Sequence, residues 1–232
     1  MHSSTRASRR RRSALTVSGA AALLVAAPLL TGCGDDAHPG AAAVTGGERI
    51  SMGQLQAKVE AVRDAQRAAP HGAEMIKGSG QLTRAALDGM IRERVVDKAA
   101  KDAKVSVTRS EVGKYRAQLR KQAGGEKRLK EALLQQQAVA PSQVNDWLRM
   151  QVAVDKIAKA EGIDPQTPKG NAALLKKFSD TSKDLHITVN PRYGKWDEKA
   201  STLGNTSEPW LRDITGKQED RRQQQQQQQP QM

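Results

Sequence analysis

Cysteine is all but missing from this chain: its 232 residues hold one, Cys33. A single thiol forms no internal disulfide and cannot by itself build a zinc site. It is a core filler, a nucleophile or a modification site, and its surroundings must decide. Aromatics are nearly as scarce, with one Phe, two Tyr and three Trp, which leaves little with which to stack nucleic-acid bases. The common catalytic patterns are absent too. There is no Gly-x-Ser-x-Gly elbow, no His-Glu-x-x-His, no phosphate loop and no dinucleotide fingerprint. Beyond Cys33 the histidines are His38, His71 and His186, too far apart in sequence to form a local pair. No catalytic residue, no metal ligand set and no dissociable cofactor is therefore nominated.

What is present begins with the leader. Arg6 and Arg9 to Arg12 form a positive segment without acids, followed by a mostly apolar run from Ala14 to Leu30. Small residues then precede Cys33. This is the layout of a secretory signal peptide rather than a membrane span. Leu30-Thr31-Gly32-Cys33 resembles the bacterial lipobox. That resemblance implies a diacylglyceryl group on the Cys33 thiol, cleavage between Gly32 and Cys33, and attachment to the outer face of the cell membrane. The alternatives are an uncleaved anchor, or a plain secreted protein with a chance cysteine.

The chain has 38 basic and 25 acidic residues, a formal charge of +13. Five of those arginines lie in residues 1–32, so residues 33–232 keep 33 basic against 25 acidic side chains. A basic surface favours anionic partners such as lipid head groups, wall polymers or acidic chains. Nucleic acid is not expected, given export and the shortage of aromatics.

After the leader, residues 33–43 read as a flexible tether. Val44 to Ile50 is a short strand, a Gly46-Gly47 turn, and a second strand or helix start. Five amphipathic helices are expected. Ser51 and Gln54 have capping-box spacing, and Met52, Leu55, Val59 and Val62 share a face before Pro70. Pro70 to Gly80 reads as a loop. Leu82 to Ala103 carries Leu87, Ile91, Val95 and Ala99 at i,i+4 spacing, with Met90 beside them. Thr108 and Glu111 form a second box ahead of Val112, Tyr115 and Leu119. Leu129 and Leu133 mark a short helix, and Pro141 opens one that carries Val144, Trp147, Leu148, Met150, Val154 and Ile157. Ala172 to Phe178 is a weaker segment. "HITVN", His186 to Asn190, alternates as a strand does, with His186 half-exposed. Residues 198–232, ending in the run Gln223 to Gln229, read as a disordered tail.

Two ends of the span Val44 to Asp197 resemble one family, that of the SurA N-terminal domain and the PrsA-type foldases. "AVTGGERISMGQLQAKV" is similar to its opening strand, turn and first helix. "ITVNPRYGKWD" is similar to its closing strand, and the helices between follow in the same order. The resemblance implies a mainly α fold, a helical bundle or cradle over residues 44–197, with a small β-pair formed by the first and last strands. It places Val189, Asn190, Pro191, Arg192, Tyr193 and Gly194 in the closing motif, with Ile187 and Val189 near Val44 and Ile50. Arg192 and Tyr193 become candidates to latch onto the helices, unless "NPRY" is only a turn at a domain end. Isomerase-active members carry a parvulin domain before the closing strand. Here only Ile163 to Leu185 fills that interval, 23 residues against the ~50 of a small domain.

The resulting expectation is a lipid-anchored, extracytoplasmic chaperone-like protein that binds unfolded exported polypeptides and has no isomerase activity of its own. Met52, Met90, Tyr115, Trp147 and Met150 are the candidate client contacts, each with core packing as its alternative role. The competing expectation is a scaffold or adaptor lipoprotein for one dedicated partner or an anionic wall polymer. The pattern carries no signal of oligomeric state.

Overall fold

The structure, a computed structural model, describes residues 40–204. Cys33, Gly32, the leader and the glutamine run lie outside the described residues.

The chain enters through a hairpin. Strand β1 (Ala41–Thr45) pairs antiparallel with β2 (Glu48–Ser51). Gly46 and Gly47 connect them with φ of 57° and 80°. Two successive positive φ values define the turn whose twist suits a two-residue hairpin, and glycine adopts them without steric cost. Gly46 is also hemmed in, since a Cβ there would lie 2.8 Å from Leu185 Cδ2. Its N–H donates to the Leu185 carbonyl at 2.7 Å.

β1 is the middle strand of three. Its other edge takes β3 (Thr188–Val189), with Ala43 opposite Val189 and Val44 opposite Thr188. The return of the late strand to the first is therefore present. The β-pair expected from the resemblance is a three-stranded sheet in the order β2-β1-β3. Ala41, Ala42 and Ala43 are 5%, 0% and 1% exposed. The tether reading is wrong for these three. They resemble a linker in composition because consecutive residues buried on both faces of a strand have room only for small side chains.

Ser51 then caps α1 (Met52–Arg67). Its Oγ accepts from the Gln54 N–H, and Gln54 Oε1 accepts from the Ser51 N–H. Within the expected loop lies a further helix, α2 (Gly72–Gly78), without a side-chain N-cap. Arg63 holds its far end, reaching the Ile76 and Ser79 carbonyls and the Ser79 hydroxyl. Helix α3 (Leu82–Asp102) is the central rod. Leu87, Ile91 and Ala99 are 0% exposed, so the i,i+4 stripe is its buried face. It packs against α1, β1, α6 (Val144–Ala160) and α7 (Pro168–Asp184).

Thr108 and Glu111 make the second capping box, opening α4 (Arg109–Ala123), which ends on left-handed Gly124. Helix α5 (Glu126–Gln137) follows, and Pro141–Gln143 is a 3-10 turn leading into α6. Helix α7 is much longer than the weak segment expected. Thr167 Oγ1 caps it by accepting from the Gly170 N–H at 3.0 Å, with Pro168 in its first turn.

Two further expectations are corrected at the C-terminal side. His186 is exposed at φ 44°, a turn residue rather than a strand residue, because the chain reverses there between α7 and β3. Residues 202–204, assigned to the tail, form β5 (Thr202–Gly204), which pairs with β4 (Lys195–Asp197). The Asp88 carboxylate on α3 fixes β5 by accepting from the Leu203 N–H at 2.7 Å and the Thr202 hydroxyl at 3.0 Å.

Candidate functional site

The five proposed client contacts do not form one site. Met52 and Met90 pack against the core beneath the sheet, with Ile50, Leu55 and Leu87. Tyr115 lies partly buried between α4, α5 and α6 among Leu129, Leu133 and Leu148. Burial pushes its hydroxyl above the usual tyrosine range, and the nearby Asp155 charge adds to this. Trp147 and Met150 come together in a cleft between α1, α3, the end of α5 and α6.

This cleft follows from how its helices are spaced. Along α3, Leu82 and Ala86 point inward, while Ala85 and Gly89 offer almost no side-chain bulk. A Cβ on Gly89 would meet nothing within 4 Å. Val62 of α1, Val139 and the two α6 side chains complete an apolar floor. Around it stand Lys58, Asp88, Arg92, Glu93 and Asp146. Lys58 faces Glu93 at 3.8 Å, and Arg92 is bound to Asp88 at 2.9 Å. Gln143 ties the start of α6 to α1 by donating to the Lys58 carbonyl at 3.0 Å. Arg149 of α6 reaches Asp97 of α3 at 3.2 Å.

The volume is about 210 Å³. That is below the ~300 Å³ at which small-molecule sites begin. It suits one or two apolar side chains presented by a longer segment, with the charged rim facing that segment's backbone and polar residues. The sequence reading missed Asp88, Gly89 and Arg92. Their signal was the small pair Ala85 and Gly89, at i,i+4 beside the apolar stripe of α3.

The closing motif is a latch within the fold. Asn190 donates its backbone N–H to the Ala42 carbonyl at 3.0 Å, and its side chain caps the 3-10 turn Pro191–Tyr193. Tyr193 donates its hydroxyl to Met52 Sδ at 3.3 Å, and its carbonyl accepts from Arg84 Nε at 2.9 Å. Arg84 also reaches the Leu203 and Gly204 carbonyls, so α3 clasps both the turn that precedes β4 and the strand β5. Gly194 has φ 120°, and a Cβ there would sit 2.3 Å from the Gly204 carbonyl oxygen. Tyr193 therefore latches as expected. Arg192 does not: it is exposed, and its guanidinium lies over the Tyr193 ring at 5.4 Å.

Electrostatics brace the helices away from the cleft. Lys156 of α6 donates to Glu111 of α4, which also accepts from Thr108. Together these bonds lower the Glu111 carboxyl to about 2. Arg116 of α4 binds both Glu126 and Asn145, joining α4, α5 and α6. Among the described residues no group of three or more His, Cys, Asp or Glu could hold a metal. Nor is any described helix long and apolar enough to cross a membrane.

Residues 6–158 match the SurA-like N-terminal domain family. The chain belongs to that family. No curated protein and no solved structure matches it. The SurA-like family is one of chaperones and foldases, and its domain binds unfolded polypeptides generally. The matched span runs through α1 to α6 and includes every wall of the cleft. It stops before α7 and the closing strands, so the SurA-like match leaves out part of the core on which its own first strand rests.

Proposed function

We propose that this chain is a lipid-anchored chaperone-like protein of the extracytoplasmic membrane face. It holds unfolded exported polypeptides and carries no isomerase of its own. The observation that carries the reading is the apolar-floored, charge-rimmed cleft, built within the part of the chain that belongs to the SurA-like family. A cleft that takes single apolar side chains recognises no particular sequence, which suits a holder of varied unfolded chains. The leader and lipobox supply the location. A lipid on Cys33 would keep the domain where polypeptides emerge and raise its local concentration there. The interval in which isomerase-active relatives carry their parvulin domain is here occupied by α7, and His71 and His186 are exposed on separate turns.

The test is suppression of aggregation, followed by light scattering, for several unfolded clients. The full chain in stoichiometric excess is expected to suppress it, and Gly89→Leu, which fills the cleft from an open position on α3, is expected to abolish most of the effect. Absence of suppression by the parent chain rejects the reading. Undiminished suppression by Gly89→Leu removes the cleft from it. Location is tested separately, by mass spectrometry of Cys33 in a producing host. An unacylated, uncut chain overturns the anchor.

A further inference from the structure

The charge of the described domain is unevenly placed. From Lys101 to Glu131 there are ten basic and four acidic residues. Across all of 40–204 there are 29 basic and 19 acidic, so this stretch, from the end of α3 into α5, carries more than half of the excess. Much of it gathers where α4 meets α5. Arg120 and Lys121 occupy the last turn of α4, and Lys127 and Arg128 the first turn of α5, joined by the Gly124-Gly125 turn. All four are exposed. A Cβ on Gly124 would lie 3.0 Å from Arg128 Nη1, so the Arg128 side chain is folded back over the glycine turn.

Folding accounts for only half of this cluster. Arg120 and Lys121 complement the C-terminal end of the α4 dipole. Lys127 and Arg128 sit at the positive end of α5, where cations are unfavourable. The acid that could offset them, Glu126, is already bound to Arg116 and approached by Lys130 at 3.7 Å. Lys127, with an 89% exposed side chain, reaches only Glu131 at 3.9 Å. Arg120, Lys121 and Arg128 make no ion pair among the described residues.

We propose that the tip of the α4–α5 hairpin, through Arg120, Lys121, Lys127 and Arg128, binds the phosphate head groups of an anionic membrane surface. Charge complementarity identifies the partner class. The exposed tip and its lack of exposed large apolar side chains argue for adsorption to head groups without insertion. The only exposed large hydrophobic among the described residues is Leu175, on α7. Such binding is independent of any lipid on Cys33 and of what the cleft holds.

The experiment uses the full chain carrying Cys33→Ala, so that no acyl group contributes and the leader arginines are common to every variant. Sedimentation with phosphatidylglycerol-containing vesicles is compared with pure phosphatidylcholine. One variant carries Arg120→Gln, Lys121→Gln, Lys127→Gln and Arg128→Gln. A second, of equal net charge, carries Arg49→Gln, Lys77→Gln, Lys195→Gln and Lys199→Gln. The tip variant is expected to lose roughly 10-fold or more of its partitioning to anionic vesicles, and the control less than about 3-fold. Melting by circular dichroism should be unchanged for the tip variant, since it removes one favourable and one unfavourable dipole pair. The double variant Lys127→Gln/Arg128→Gln should melt no lower than the parent and still bind more weakly. Equal loss in the two quadruple variants, or none in the tip variant, overturns the proposal. So does loss of binding to soluble polyglutamate with vesicle binding intact, which would assign the tip to acidic polypeptides.

Discussion

The strongest internal test of the closing segment is a two-residue cycle. Trp196 of β4 is 5% exposed and shares the core with Ala42, Leu55 and Ile91, although it lies well beyond the residues of the family match. Its indole N–H donates to the hydroxyl of Ser182, a residue of α7 that is 0% exposed. Trp196→Phe keeps an aromatic ring but removes the donor, leaving a buried hydroxyl short of a partner at a cost of about 1–3 kcal/mol. The smaller ring forfeits on the order of 1 kcal/mol of apolar burial. A loss of about 2–4 kcal/mol is expected, a large part of the ~5–15 kcal/mol of an ordinary domain. Ser182→Ala alone leaves the indole N–H unpaired and should cost about 1–3 kcal/mol. With both changed, no polar group is stranded, so the double variant should recover about 1–2 kcal/mol relative to additivity. Urea unfolding followed by far-UV circular dichroism measures all four species without relying on the fluorophore being removed. The slope with denaturant should be unchanged, so that midpoint shifts read as stability. Additive single effects, or a neutral Trp196→Phe, would refute the claim that this bond ties the late strands into the core.

Two glycines should respond oppositely to the same change. Gly170→Ala places a Cβ 1.8 Å from the Asp164 carbonyl oxygen, and should lower stability by about 2–4 kcal/mol in thermal unfolding. Gly89→Ala meets nothing within 4 Å, and should raise stability by about 0.5–1 kcal/mol through helix propensity alone. The Glu111 carboxyl is lowered from 4.5 to about 2, first by its bond to Lys156. A depressed folded value means its contribution is complete above the unfolded value, and fades as pH falls from about 4.5 through about 2. Glu111→Gln should therefore melt lower than the parent at neutral pH and converge with it near pH 2; a constant difference across that range would exclude the linkage.

Much of the fold is legible where the signal is local. Ser51 with Gln54, and Thr108 with Glu111, announce helix starts because each box closes between residues three apart. Gly46-Gly47 announces the hairpin because few other pairs accept two positive φ values. The stripe on α3 names its own buried face. Helix α2 was hidden because its support is Arg63, a residue of another helix. Ala41 to Ala43 read as a leash because small residues suit both a linker and a doubly buried strand. The cleft was half visible: Trp147 and Met150 stood out by residue type, whereas Gly89 contributes by having no side chain.

The sequence by itself determined α1 and α3 to α6, the two capping boxes and the first turn, since each depends on neighbours within a turn or two. Only the tertiary structure decided that β1 lies between β2 and β3, that Trp196 meets Ser182, and that two of the five apolar candidates share a cleft while three fill the core. Those outcomes depend on which buried surfaces fit together between segments that are not neighbours in the chain. Side-chain type does not encode that choice; volume, burial and the need to pair every enclosed polar group do.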